Sequence, residues 1–160
     1  GKWTGTSLLA RPSGGGRRGS FMKSEESLHL IKYRLAQAPV ALDDAKFLMD
    51  GKRSPQSIVN RSFYAMFYAA LALLQKIGKV PSKHAGVISL FDTEFALKGF
   101  FPKELSKDFH KAFELRQVSD YKVLEVLSPE KAEDTWNKAV SFVQAVKKYL
   151  LQSSATGQEK

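Results

Sequence analysis

Three polar groupings interrupt otherwise apolar stretches of this sequence, and each holds residue types that can meet a phosphate or move a proton. The first is Asn60, Arg61, Tyr64 and Tyr68. On a helix, Arg61, Tyr64 and Tyr68 share a face at i, i+3 and i+7. An arginine beside two tyrosines in an apolar helix needs an acceptor, whether a carboxylate, a carbonyl or a phosphate. The structural alternative is an ion pair at the edge of a core. The second grouping is Lys83-His84-Ala85-Gly86-Val87. A histidine at a helix N-terminus can bind an anion or act in proton transfer, or it can be a satisfied structural side chain. The third is Arg116-Gln117-Val118-Ser119-Asp120-Tyr121. On a continuing helix Arg116 and Asp120 are i, i+4 neighbours, whereas Arg116 and Tyr121 stand about 140° apart. Those two converge on one ligand only if the helix ends between them or two chains contribute. The alternative is a helix terminus closed by an arginine–aspartate pair. If the groupings act together, Arg61, His84, Arg116 and Asp120 belong in one cleft or at one seam between two copies.

Other chemistries find no support. The 160 residues include no cysteine, which removes disulfides, thiolate metal sites and cysteine nucleophiles. His29, His84 and His110 stand at no metal-ligand spacing, so neither a metal nor another cofactor is expected. Gly14-Gly15-Gly16 lacks the strand and the Lys-Ser/Thr of a phosphate-binding loop. No apolar run reaches the roughly 18 residues of a membrane span, the longest being Ala65 to Leu74. A protein away from the membrane, in the cytoplasm, is the expectation.

The elements that must position these groups read as helices. Sustained period-2 alternation is missing, so strands are not expected. A first helix, about residues 24–49, carries Leu28, Ile31, Leu35, Ala38, Leu42, Ala45 and Leu48 as one stripe. Ser24 is its candidate N-cap, and Pro39 should kink or interrupt it. The second opens at Ser54-Pro55, runs to Ile77 and stops at Gly78. Apolar residues cover most of its circumference, so it should be the central helix. A third spans about 82–96, with His84, Ile88, Phe91 and Phe95 on one side. A fourth spans 102–119, with Leu105, Phe109, Ala112, Phe113 and Arg116 on one side. Ser128-Pro129-Glu130 announces a fifth, bearing Ala132, Trp136, Ala139, Val143, Val146 and Leu150. Four or five helices on short connections make an all-α, antiparallel up-and-down bundle over residues 22–152. The polar residues 153–160 read as a frayed tail.

Charge is uneven along the chain. Lys and Arg total 25 against 16 Asp and Glu, a net charge of +9. Residues 1–21 hold Lys2, Arg11, Arg17 and Arg18, no acid, and six of the 11 glycines. Too little apolar surface is present there to offset ordering entropy. That stretch reads as a disordered, vector-derived or mis-started leader, with Met22 as the natural start. The remaining basic excess is mild and points only weakly to nucleic acid.

Together the three groupings carry a resemblance. Tyr33-Arg34-Leu35, Leu42-Asp43-Asp44-Ala45-Lys46, Asn60-Arg61-Ser62-Phe63-Tyr64-Ala65-Met66-Phe67-Tyr68-Ala69-Ala70, His84-Ala85-Gly86-Val87, Arg116 to Tyr121 and Ala139-Val140-Ser141-Phe142-Val143 follow in an order and spacing that resemble the HEPN domain family, in its compact prokaryotic branch. The resemblance implies a helical bundle, a homodimer and nucleotide or RNA as ligand. It further implies a toxin-type, metal-independent ribonuclease, partnered by a minimal nucleotidyltransferase antitoxin. The family motif is an arginine, a polar residue and then a histidine four to six residues after the arginine. Arg116 and Gln117 fill the first two positions, and Tyr121 stands where the histidine would. Tyrosine, with an unperturbed pKa of about 10, is a poor base at neutral pH. Binding without cleavage, or a non-catalytic helical interaction module, therefore stays open beside the nuclease. For cleavage, Arg116 would stabilise the charge on phosphorus, and His84 or Tyr121, with Asp120 alongside, would handle protons. Arg61, Lys83 and Gln117 would hold phosphates, while Tyr64 and Tyr68 would stack a base.

Overall fold

The computed structural model describes residues 17–121 and 127–158, with side chains described over 24–117 and 127–153. The first 16 residues, most of the expected leader, fall outside this range, and residues 17–21, expected to be disordered with it, are helical. The elements are α1 (Arg17–Asp50), α2 (Pro55–Lys76), α3 (His84–Phe91) running into a π-helical turn (Asp92–Ala96), α4 (Lys103–Tyr121) and α5 (Pro129–Gln158). The fold is an all-α bundle, as the periodicity requires, with no strand among the described residues.

Local chemistry sets the ends of α2. Ser54 is extended (φ −61°, ψ 135°), and its Oγ accepts from the Ser57 N–H at 3.2 Å, ahead of Pro55 in the first turn. At the other end Gly78 takes φ +71°. The Gly78 N–H donates to the Gln75 carbonyl at 3.1 Å and the Lys79 N–H to Leu74 at 3.0 Å. That pair of bonds is a Schellman close, which a side chain at Gly78 would strain. Ser128 caps α5 in the same way as Ser54, its Oγ accepting from the Lys131 N–H at 3.1 Å.

Helix α2 is the centre. It packs most extensively on α1, then on α5, and also on α4 and α3. Ala38, Ala41 and Ala45 of α1 are buried, as are Ala65, Ala69, Ala70 and Ala72 of α2. Small residues on both partners let the two backbones approach closely. On the other side of α2 the core is aromatic. Phe63, Phe67, Phe91, Phe109 and Phe142 are fully buried, with ring centroids 5.0 Å apart for Phe109–Phe142 and 5.1 Å for Phe91–Phe142. By length and composition α2 is apolar enough to cross a membrane, beyond what the run from Ala65 to Leu74 indicated, but 72% of that window lies buried in the bundle.

Several sequence expectations are corrected. Helix α1 has already begun at Arg17, so Ser24 lies inside it and caps nothing. Pro39 does not interrupt α1, which continues helical to Asp50. Leu28, placed on the buried stripe, is 52% exposed, and Ala41 is buried in the groove against α2. The third helix is not α-helical to Ala96. Its last turn widens, the Leu97 N–H reaching the Asp92 carbonyl at 2.8 Å. There the Asp92 carboxylate accepts from Ser106 Oγ and lies 2.5 Å from His110 Nε2, joining the turn to α4. Helix α5 runs on to Gln158, past the expected end near Gln152.

Burial makes opposite demands on two of these side chains. Phe142→Ala should cost about 3–5 kcal/mol, the range for emptying a fully buried aromatic site. Leu28→Ala should change stability by less than about 0.5 kcal/mol, as for an exposed position. Urea unfolding of the two variants measures both.

Candidate functional site

The ring of Tyr64 gathers most of the polar groups singled out above. Arg61 lies one turn before it on α2, its guanidinium carbon 5.1 Å from the Tyr64 ring centroid. Arg116 arrives from α4 and stands 5.3 Å from the centroids of both Tyr64 and Phe63. Its Nη2 donates to the Tyr64 hydroxyl at 3.3 Å. The His84 ring, at the start of α3, lies 5.8 Å from Tyr64 and edge-on to Phe67 at 4.6 Å. Tyr68 follows at 5.9 Å from Tyr64. Three helices thus deliver two guanidiniums and an imidazole to one aromatic ring. Each guanidinium is within the roughly 6 Å at which a cation is attracted to a ring face.

Each side chain is placed by local packing. The Asn60 amide oxygen accepts from Arg61 Nε and Nη2 at 3.3 and 3.1 Å, which holds the guanidinium beside Tyr64. Phe63, one residue before Tyr64, packs against Phe109 and Phe113 of α4 at 6.0 and 5.8 Å and so fixes the height at which Arg116 meets α2. A Cβ at Gly86 would stand 2.9 Å from the Pro81 side chain. Glycine there lets the preceding loop fold onto the first turn of α3, at His84.

The electrostatics follow from this crowding. Burial first, and the nearby Arg116 charge second, hold the His84 imidazole below its ordinary value. At neutral pH the ring is therefore neutral and able to accept a proton. A groove of about 320 Å³ runs between α1 and α2, lined by Tyr33, Gln37, Asp44, Arg61 and Tyr68 among others. Arg34, buried behind the groove, donates to Gln37 Oε1 at 2.8 Å and lies 5.5 Å from the Tyr33 ring. Burial lowers its pKa, while Tyr33 and Tyr68 oppose that shift.

Arg61, Tyr64, Tyr68, His84 and Arg116 are brought together. Lys83 and Gln117 are exposed, and no described contact ties either to the cluster. Helix α4 reaches Tyr121, but the side chains of Asp120 and Tyr121 lie outside the described residues. The α1 wall, with Tyr33, Arg34 and Gln37, was not foreseen as part of the site. Its signal in the sequence was an arginine and a glutamine within an otherwise apolar stripe.

Fold and cluster define a small helical domain in which two guanidiniums and an imidazole gather on an aromatic ring. A model of the HEPN domain matches residues 31–149, and the chain belongs to the HEPN domain family. It is 39% identical to a UPF0332 protein of Thermotoga maritima over 78% of this chain and 94% of that one. Two Methanocaldococcus jannaschii proteins also match. "Putative toxin MJ0142" is 36% identical over 58% of this chain and 63% of its own length. "Putative toxin MJ0605" is 34% identical over 68% and 80%.

The depressed His84 pKa links the site to stability. Between the folded value and the ordinary one of about 6.5, the unfolded chain binds more protons than the folded one. Stability from this group is full above that upper value and is lost as pH falls through the window. Denaturant midpoints measured from pH 8 to pH 5 should decline across it, and His84→Gln should flatten the decline.

Proposed function

We propose that this chain is a toxin-type HEPN protein that engages RNA phosphates at the Tyr64 cluster and cleaves the RNA backbone. The observation that carries this reading is the meeting of Arg61, Arg116 and a neutral His84 on one ring. A phosphodiester needs cations for its charge, and its 2′-hydroxyl needs a base. His84 removes the 2′-hydroxyl proton, the freed oxygen bonds to phosphorus, and Arg116 stabilises the extra charge that develops there. The 5′-oxygen leaves with a proton supplied by water or, because α4 is helical from Arg116 through Tyr121, by Tyr121 of a second copy, giving a cyclic phosphate and a free 5′-hydroxyl. Arg61 holds a flanking phosphate, with Lys83 and Gln117 near the entrance, and Tyr64 and Tyr68 offer faces for a base. A homodimer in the cytoplasm and a nucleotidyltransferase antitoxin as its regulator complete the reading; the toxin names of two relatives support the toxin part of it.

Tyr121, in the position of the motif histidine, favours a second reading, in which RNA is bound and not cut. Cleavage of labelled RNA in EDTA tests both. The nuclease reading expects metal-independent cutting that falls at least about 100-fold in Arg116→Ala, the scale of losing one preorganised charge donor. RNA binding that weakens with Arg61→Ala, without cleavage by the unaltered chain, selects the second. Absence of both cutting and binding overturns the assignment of this site.

A further inference from the structure

The outer face of α1 has the opposite character to the Tyr64 cluster. Tyr33, Val40 and Phe47 follow one another at seven-residue spacing, within about 20° of a single line along the helix. They are 52%, 60% and 78% exposed. An apolar line of this kind, one residue per heptad, supplies half of the two-per-heptad seam by which one helix packs on another. Its flanks are acidic. Glu26 and Asp44 lie about 40° to one side of that line, and Glu25 and Asp43 about 60° to the other. All four are exposed. Lys32 and Lys46 turn away, at about 80° and 120°, and Lys46 is bonded to Asp50 at 2.5 Å. Among the described side chains the strip holds four carboxylates and no lysine or arginine, in a chain of net charge +9.

This charge decides the occupant. Four carboxylates repel a nucleic acid backbone. A second copy of the same face would set carboxylates against carboxylates, a like-charge contact that costs affinity. A basic helix with an apolar stripe meets both features at once, leucine-like side chains over Val40 and Phe47 and lysines or arginines over the acids. We infer that the outer face of α1 is a docking surface for a basic amphipathic helix of a partner protein. Tyr33, Val40 and Asp44 also line the groove that ends at Arg61. A helix seated on the stripe covers that groove and obstructs RNA entry, so docking doubles as inhibition. This last consequence rests on the function proposed above, while the docking itself does not.

The test uses the full chain and two labelled synthetic 21-residue helical peptides. Both carry a leucine heptad stripe, one flanked by lysines and the other by glutamates. Fluorescence anisotropy should show saturable binding of the basic peptide, at least tenfold tighter than the acidic one. Phe47→Ser, and separately Asp43→Lys with Asp44→Lys, should each weaken it at least tenfold. These positions are exposed, and thermal unfolding confirms that the variants remain folded. Equal affinity for both peptides, or basic-peptide binding unchanged in Phe47→Ser, overturns the proposal. So does a dimer in sedimentation that Phe47→Ser dissociates, since the occupant is then a second copy. If RNA is cut or bound, saturating basic peptide should suppress that activity severalfold. Peptide binding without suppression removes the inhibitory role and keeps the surface, and an inactive site leaves the docking result standing.

Discussion

One constraint governs this molecule: α2 is enclosed by the other helices along most of its length, so the polar groups at its half-buried positions are met within the bundle, by α2 itself or by its neighbours. From Ile58 to Leu74 most of its residues are buried. Asn60, Arg61, Tyr64 and Tyr68 are the half-buried exceptions that bear polar atoms. They sit on the one strip of α2 left between α1, α3 and α4. An arginine there cannot snorkel far into water, and it is accommodated by the Asn60 amide and the Tyr64 ring. Arg116 reaches the same ring because Phe63, Phe109 and Phe113 hold α4 at that level. The site is thus a product of core packing. Its cations are assembled by the same aromatic contacts that hold the bundle together.

This origin explains what could be read from residue order. Helix ends were legible at Ser54-Pro55 and Ser128-Pro129, because a hydroxyl cap followed by proline encodes its own geometry within a few residues. The shared face of Arg61, Tyr64 and Tyr68 was legible for the same reason. The meeting of α2, α3 and α4 at Tyr64 was suggested by family resemblance, since periodicity says nothing of which helices adjoin. Pro39 misled, because a proline's missing N–H forbids one bond but does not end a helix whose flanking Ala38 and Ala41 are locked against α2. The π-helical turn after Phe91 was invisible, for it coincides with bonds from Asp92 to Ser106 and His110 on another helix. Leu28 misled differently. It fits the i, i+3 pattern of α1, yet lies on the exposed side of that helix.

Charge divides the surface into two regions of opposite sign. The Tyr64 cluster concentrates guanidiniums close enough to Phe63 and Tyr64 that water is partly excluded, which strengthens their attraction for an anion. The same arrangement keeps His84 neutral, because an imidazolium in that place would be both desolvated and repelled by Arg116. A base held neutral beside a cation that can stabilise a developing anion is a division of labour suited to phosphoryl chemistry. It follows from burial and from the charge of Arg116 together.

The acidic strip on α1 borders this cationic site, and their proximity has a mechanical consequence. Tyr33 belongs to both: its ring is exposed on the heptad line, stands beside Arg34, and lines the groove that Arg61 closes. Anything packed on the strip must therefore contact or cover the wall of the anion site. Opposite charge on the two surfaces also prevents one ligand from serving both, since a polyanion drawn to Arg61 and Arg116 is repelled one helix face away. If RNA binds at the cluster and a basic helix on the strip, as proposed, selectivity between them needs no conformational change, because each is rejected electrostatically by the other's surface while competing for the ground around Tyr33.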